Sequence, residues 1–467
     1  MKDQKKQGTL KKEFNLFAAF SFAFAYISPI VAVYGVFGIA LVLVGPGYWV
    51  AIPIALVGQY LVANVLSEVA SKFPYEGSLY QWAGRLVGPR YGWMTGWIYV
   101  WTVLIAMATV AVGATNFWAA AFGIDVSSKS SLIIGSLIVV GLCAIANIMG
   151  RKALKVMIIL SISAEIIGSI GLALILMISY QVNPISVIFN NGLDATSSLT
   201  FSGLMLGIAL AGWSFLGFES SGSVAEEVMD PEVNVPKALK YSLLAIGAIT
   251  LFSSLFLILA IPDIKSVIAG NDPDPISTTI ATHLGANVST LASIVFAIGF
   301  TACVLGLQTG TSRVVYAFAR DGVVPFAKSL SRLTLKNGIP ANAVILVSIL
   351  PALIFFLTGS NIYNTLITYT IGGWYLTFVL VLLGYLKVRM SNSWKPGKVS
   401  MGTWSLPVAI IATIWAIFET INISWPRSSL TGDVWYLQWA LVLVLGTLII
   451  IGFIVLSSVK DKIKLNK

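Results

Sequence analysis

Apolar runs of about 20 residues, each long enough to cross a bilayer, recur along the whole chain. Twelve are expected, at 15–40, 47–70, 92–119, 130–149, 154–179, 201–225, 239–261, 285–311, 341–358, 362–386, 403–424 and 434–457. Only helices and closed barrels satisfy their backbone polar groups in lipid, and runs of this length predict helices. Composition agrees: 57% of residues are hydrophobic and 10% charged, against roughly a quarter charged in soluble domains. The fold class expected is an all-α polytopic membrane protein with 12 transmembrane helices.

The net charge of +10 invites a nucleic-acid reading, but its placement argues for topology. With both termini cytoplasmic, all but three of the 29 Lys and Arg residues fall on the cytoplasmic side. Lys129, Lys265 and Arg427 remain outside. The positive-inside rule gives that asymmetry only for a nearly correct span count, so a multi-pass plasma-membrane protein is expected. The basic start runs into an apolar segment too long for a cleavable signal. Two cysteines, Cys143 and Cys303, both in apolar runs, make neither a disulfide framework nor a metal site, and the one histidine, His283, excludes a His-rich centre. No cofactor is expected.

The stretch Ala211-Gly-Trp-Ser-Phe-Leu-Gly-Phe-Glu-Ser-Ser-Gly222 in span 6 is the centre of the functional reading. Gly212, Gly217 and Gly222 interrupt it, and Glu219 places a carboxylate inside a membrane segment, a costly and usually functional arrangement. Span 1 has a matching break in Ala25-Tyr-Ile-Ser-Pro-Ile-Val-Ala-Val-Tyr-Gly35, where Pro29 removes a helix hydrogen bond; a simple kink is the plainer alternative. Spans 1 and 6 open two five-helix halves, and paired broken helices are a mark of inverted-repeat transporters. Span 5 carries a second acid, Glu165, read either as a structural acid bonded to Ser or Thr on a neighbouring helix or as a coupling group. Spans 11 and 12 are read as scaffold or a homodimer surface.

Four segments carry a family resemblance: Phe73-Pro-Tyr-Glu-Gly-Ser-Leu-Tyr80, Trp213-Ser-Phe-Leu-Gly-Phe-Glu-Ser220, Asp230-Pro-Glu-Val-Asn-Val-Pro236 and Tyr316-Ala-Phe-Ala-Arg-Asp-Gly-Val-Val-Pro325. In this order the chain resembles the amino acid–polyamine–organocation (APC) superfamily over about residues 14–390. The resemblance implies a LeuT-type fold, a 5+5 inverted repeat plus two extra helices, and secondary transport of amino acids or amines by alternating access. Trp213–Glu219 is similar to the sixth helix of bacterial arginine–agmatine exchangers, where the position of Trp213 is a substrate-gating aromatic and that of Glu219 a pH-sensitive acid. Span 1 departs from the usual glycine-rich break, and its Ser28-Pro-Ile-Val-Ala is closer to the amino acid–choline and GABA permease branch.

These readings divide the chain into a cytoplasmic tail at 1–13, a transport core at 14–390, spans 11 and 12 within 391–458, and a cytoplasmic tail at 459–467. The substrate site is expected at Tyr26, Ile27, Ser28, Pro29, Ile30 and Val31 of span 1 and Trp213, Phe215, Leu216, Gly217 and Phe218 of span 6. Free amides near Ser28–Val31 are expected to hold a substrate carboxylate. Trp213 and Phe218 are expected to close over the side chain or a cationic head. Glu219 and Glu165 are the proton-coupling candidates, and Thr102 and Gln308 are expected at the cavity wall. A passive channel would show repeated polar positions along a pore helix, and an intramembrane enzyme a catalytic cluster; neither stands out. The partners expected are a small amino acid or amine, lipid and a second copy of the chain, and not nucleic acid.

Overall fold

The computed structural model describes residues 12–190, 199–335, 338–357, 362–391 and 393–459. Most of both expected tails, and Lys336, lie outside the described residues. The described residues form helices, short turns and one isolated parallel β-bridge between Phe14 and Val228.

Eleven helical segments among the described residues are long and apolar enough to cross a membrane, and a shorter apolar helix, Ala341–Phe355, falls where the ninth span was expected. That helix carries Pro351 inside it. The fold is that of an all-α polytopic membrane protein, with the twelfth crossing resting on this short element. Span 3, Pro89–Phe122, and span 8, Ala286–Arg320, are the two longest helices. They pack against each other along their length, and span 1 lies against span 8.

Both expected breaks are present. Span 1 runs as Leu16–Ile27 and restarts as Pro29–Tyr34. Ser28 between them has φ 58°, a left-handed value that costs a side-chain-bearing residue about 1–2 kcal/mol. Proline is well suited to restart the helix, since its missing N–H needs no partner at the first helical position. Span 6 runs as Phe201–Gly212, tightens through a 3₁₀ turn at Trp213–Phe215, opens at Leu216 and Gly217, and resumes in 3₁₀ turns over Phe218–Glu227. Gly217 has φ 97°, and a Cβ there would stand 2.7 Å from the Tyr26 ring. Only glycine fits both the conformation and the approach.

Span 5 changes its winding at the acid. The α-helix Arg151–Glu165 passes into a π turn, Ile166–Gly171, and then into Leu172–Ser179. A π turn leaves carbonyls without their usual i+4 partner, and two are taken by hydroxyls of other spans: Tyr34 Oη donates to Gly168 O at 2.5 Å and Ser253 Oγ to Ser169 O at 3.1 Å.

On the face where the described chain begins, the segments that carry the family resemblance meet. Tyr80 Oη and Gln81 Nε2 both donate to Asp321 Oδ2, at 2.7 and 3.0 Å, while Trp93 Nε1 donates to Val323 O. Arg320 pairs with Glu226 at 2.8 Å, and Arg313, almost fully buried, with Glu227 at 3.3 Å. The Phe14–Val228 bridge ties the start of the chain to the end of span 6: Glu13 N and Phe14 N donate to Glu227 O, and Met229 N to Phe14 O. Glu76 is fully buried beside this cluster, with neither carboxyl oxygen partnered among the described residues. Burial, and then the neighbouring Glu227 and Glu226, hold its carboxyl well above the ordinary carboxylate range.

Candidate functional site

The two breaks lie side by side and are stitched together. Trp213 Nε1 donates to Val31 O at 3.0 Å, and Ser214 Oγ donates to Ala32 O at 2.6 Å. Span 6 thus offers side-chain donors to carbonyls in the restarted half of span 1. Span 8 closes the third side. Cys303 Sγ reaches Tyr26 O at 3.0 Å, and Gly306 lets the Tyr26 backbone approach so that a Cβ would meet it at 3.2 Å.

Between them is a small cavity lined by Tyr26, Ile27 and Val31 of span 1, Trp213 and Leu216 of span 6, and residues of spans 3, 8 and 10. In this conformation its free space is well below the roughly 300–1,000 Å³ usual for small-molecule sites. Five expected residues, Tyr26, Ile27, Val31, Trp213 and Leu216, are at the wall. Phe218 stacks instead on Phe378 with ring centroids 5.3 Å apart. Ser28, Pro29, Ile30, Phe215 and Gly217 form the breaks without lining the cavity.

Thr102 and Gln308 are not at the wall. Thr102 donates to Ile98 O of its own helix and packs on Gly373, where a Cβ would meet its hydroxyl at 2.2 Å. Gln308 is turned toward spans 4 and 9, donating to Val140 O and Ser348 Oγ. A polar side chain on an apolar helix is held by its nearest buried partner, and for both residues that partner lies away from the cavity.

The two acids are held differently. Glu165 reaches the span 1 break: Ser28 Oγ donates to its Oε1 in a short contact, and Ile30 N donates to Oε2 at 2.7 Å. Val31 N is capped by Ser28 Oγ, and Ala32 N by Ser28 O. The N–H groups of this first turn, expected to hold a substrate carboxylate, are therefore engaged by the protein itself in this conformation. Glu219 sits directly behind the cavity wall. Tyr99 Oη and Trp374 Nε1 both donate to its Oε1 at 2.8 Å, while Oε2 is buried without a partner among the described residues.

Sequence reasoning missed Tyr99, Trp374, Thr370 and Cys303. Trp374 had a signal, a tryptophan in mid-span directly after Gly372-Gly373. Tyr99 had none, being one of several aromatics along span 3. Also missed was Glu419, an acid in the middle of span 11, although that span was read as scaffold. No group of three or more His, Cys, Asp or Glu side chains able to hold a metal occurs among the described residues.

Comparison with known proteins identifies the family. A family model described as amino acid permease matches residues 14–454. The chain is 26% identical over 417 residues to the branched-chain amino acid permease BcaP of Lactococcus lactis, covering 84% of this chain and 85% of that protein. It is 22% identical over 465 residues to the amino-acid permease BAT1 of Arabidopsis thaliana, covering 89% and 86%, and 29% identical over 314 residues to the lysine-specific permease LysP of Lactococcus lactis, covering 64% and 60%. These matches point to a transporter rather than an enzyme. The chain belongs to the amino acid permease family, within the APC superfamily.

Proposed function

We propose that this protein is a secondary transporter that moves a small amino acid or related amine across the plasma membrane by alternating access. Its site is the cavity between the broken spans 1 and 6. The observation that carries this reading is the pairing of the two breaks across one cavity, with an acid behind each. The paired breaks also support a LeuT-type core at 14–390 with its 5+5 repeat, and the placement of the Lys and Arg residues supports cytoplasmic termini. An apolar wall with Tyr26, Trp213 and Trp374 suits a neutral side chain and offers aromatic faces to an ammonium group.

Glu165 supplies a route for coupling. As a carboxylate it holds the Ile30 amide by a charge-assisted bond, about twice as strong as a neutral one. A proton on Glu165 weakens that hold and frees the amide for a substrate carboxylate. Glu219, with Oε2 unpartnered, takes either a proton or the substrate ammonium. Protonation of Glu165 thus favours substrate binding, which yields symport, whereas proton and ammonium compete at Glu219, which yields exchange. The apolar outer faces of spans 11 and 12 face lipid or a second copy of the chain, and cross-linking in the membrane tests the homodimer.

The test is a thermal-shift screen of amino acids, polyamines, choline and ethanolamine on the detergent-purified protein, followed by counterflow of each stabilising compound in proteoliposomes. A compound that both stabilises and counterflows is expected. Uptake that responds to neither a pH gradient nor a trapped counter-substrate indicates a passive facilitator, and the absence of any hit removes the reading.

A further inference from the structure

Glu419 is fully buried in span 11, Ser405–Ser424. Span 11 packs against spans 2, 6 and 10. Tyr375 of span 10 is close enough to feel its charge and lies beside the Gln59 amide of span 2. Trp415, one turn earlier in span 11, lies against span 2 next to Gln59, so close that a Cβ on Gly58 would stand 1.9 Å from its ring. Asn422 Nδ2 reaches Glu419 Oε1 at 3.3 Å and Met205 O of span 6 at 2.8 Å. Arg427 donates to Asn422 Oδ1 at 2.7 Å and is the nearest positive charge.

Five buried polar atoms of this cluster complete no hydrogen bond among the described residues: Glu419 Oε2, Gln59 Oε1 and Nε2, Tyr375 Oη and Trp415 Nε1. Each such group costs roughly 1–3 kcal/mol, and native proteins keep few of them. Their chemistry is mixed. A metal cation would satisfy the oxygens but leave both N–H groups unmet. A water accepts from N–H and donates to a carboxylate, and a proton converts Oε2 from acceptor to donor.

We propose that Glu419 is a proton-binding site, with a water held between Glu419, Gln59 and Tyr375, lying outside the cavity between spans 1 and 6. The proton comes from bulk water at the Arg427 end of span 11, adds to Glu419 Oε2 and returns by the same way. The titratable or charged groups facing Glu419 are Tyr375 and Arg427. Span 2 presents the neutral Gln59, and the first half of span 6, Phe201–Gly212, contains no titratable side chain.

The site reaches the transport machinery by two contacts. The Tyr375 hydroxyl stands 2.8 Å from where a Cβ on Gly212 would be, next to the span 6 break. Asn422 shares its amide between Glu419 and the Met205 carbonyl. Protonation neutralises Glu419, weakens its pull on that amide and changes the tie on the first half of span 6. That consequence rests on the proposed transport role; the protonation itself does not.

Infrared difference spectroscopy of the full-length protein in liposomes, titrated from mildly acidic to mildly alkaline pH, tests it. The expected result is a protonated-carboxyl band that is lost in Glu419→Gln and kept in Glu165→Gln and Glu219→Gln. Tyr375→Phe, which keeps the volume but removes the hydroxyl, is expected to shift that band. A Glu419→Gln spectrum identical to wild type overturns the proposal. So does an unshifted band in Tyr375→Phe, which decides the matter alone should Glu419→Gln fail to fold. A thermal shift with sodium chloride over choline chloride that disappears in Glu419→Gln also overturns it, because the site then binds a cation. All three readouts are independent of substrate, so a failed transport assay leaves them intact.

Discussion

The break in span 1 is closed and the break in span 6 is left partly open. At Ser28 the chain takes a left-handed turn without glycine, and the helix that restarts at Pro29 has its first N–H groups engaged by Glu165 and by Ser28 itself. At Gly217 the turn has no side chain to fasten, and Glu219 uses one oxygen for two donors while the other has none. A helix end whose donors are all satisfied resists rearrangement. A buried carboxylate with an unmet oxygen sits high in free energy until a proton or cation arrives. The first break is built as a fastening, the second as a receiver.

The largest effect is expected from removing the freedom of the span 6 break. Gly217→Ala forces a side-chain-bearing residue to φ 97° with a Cβ 2.7 Å from the Tyr26 ring. The conformation costs about 1–2 kcal/mol and the overpacking about 1–3 kcal/mol. Both cysteines are buried, so a thiol-reactive dye follows unfolding directly. The melting temperature is expected to fall and counterflow to be lost. An unchanged melting curve would show that the break is not held against Tyr26.

Glu165→Gln and Glu219→Gln set the two acids against each other. At position 165 the substitution turns one of two charge-assisted acceptors into a donor, and the expected loss is roughly 1.5–3 kcal/mol. At position 219 the amide oxygen retains the bonds from Tyr99 and Trp374, and the expected loss is below about 1 kcal/mol. The order reverses for function, with Glu219→Gln flattening the pH dependence of uptake while binding persists. Equal thermal losses would erase the distinction between fastening and receiver.

How far this contrast was legible in the sequence follows from what each feature depends on. Pro29, Gly217 and the two acids are local signals, because a backbone break or a charge in lipid is anomalous by itself. Trp213 was readable as a mid-span aromatic. That Glu165 would reach Ser28 and Ile30 depends on how span 5 packs against span 1, and the π turn that follows it has no sequence mark among Ile166-Ile-Gly-Ser-Ile-Gly171. Thr102 and Gln308 went astray for the same reason, since composition gives a polar residue but not the neighbour that claims it. Glu419 is legible as a charge within an apolar run, but reading span 11 as scaffold gives it no role.

The smallest effect is expected where the span 6 receiver meets the face at which the chain begins. Glu76 lies buried against Glu226 and Glu227, the residues that Arg320 and Arg313 hold. Its carboxyl binds a proton more tightly in this closed arrangement than when exposed, so closure is favoured as pH falls. That stability is lost as pH rises from the ordinary carboxylate range through the raised one, because an ionised Glu76 repels Glu226 and Glu227. The Glu227 carbonyl accepts the Glu13 and Phe14 amides, and these amides report the loosening. In hydrogen exchange, their protection is expected to fall with rising pH beyond the intrinsic chemical rate. Glu76→Gln, neutral at every pH, is expected to hold that protection level. If the variant and the wild type lose protection in parallel, Glu76 does not control this face, and the pH response belongs to the acids within the membrane.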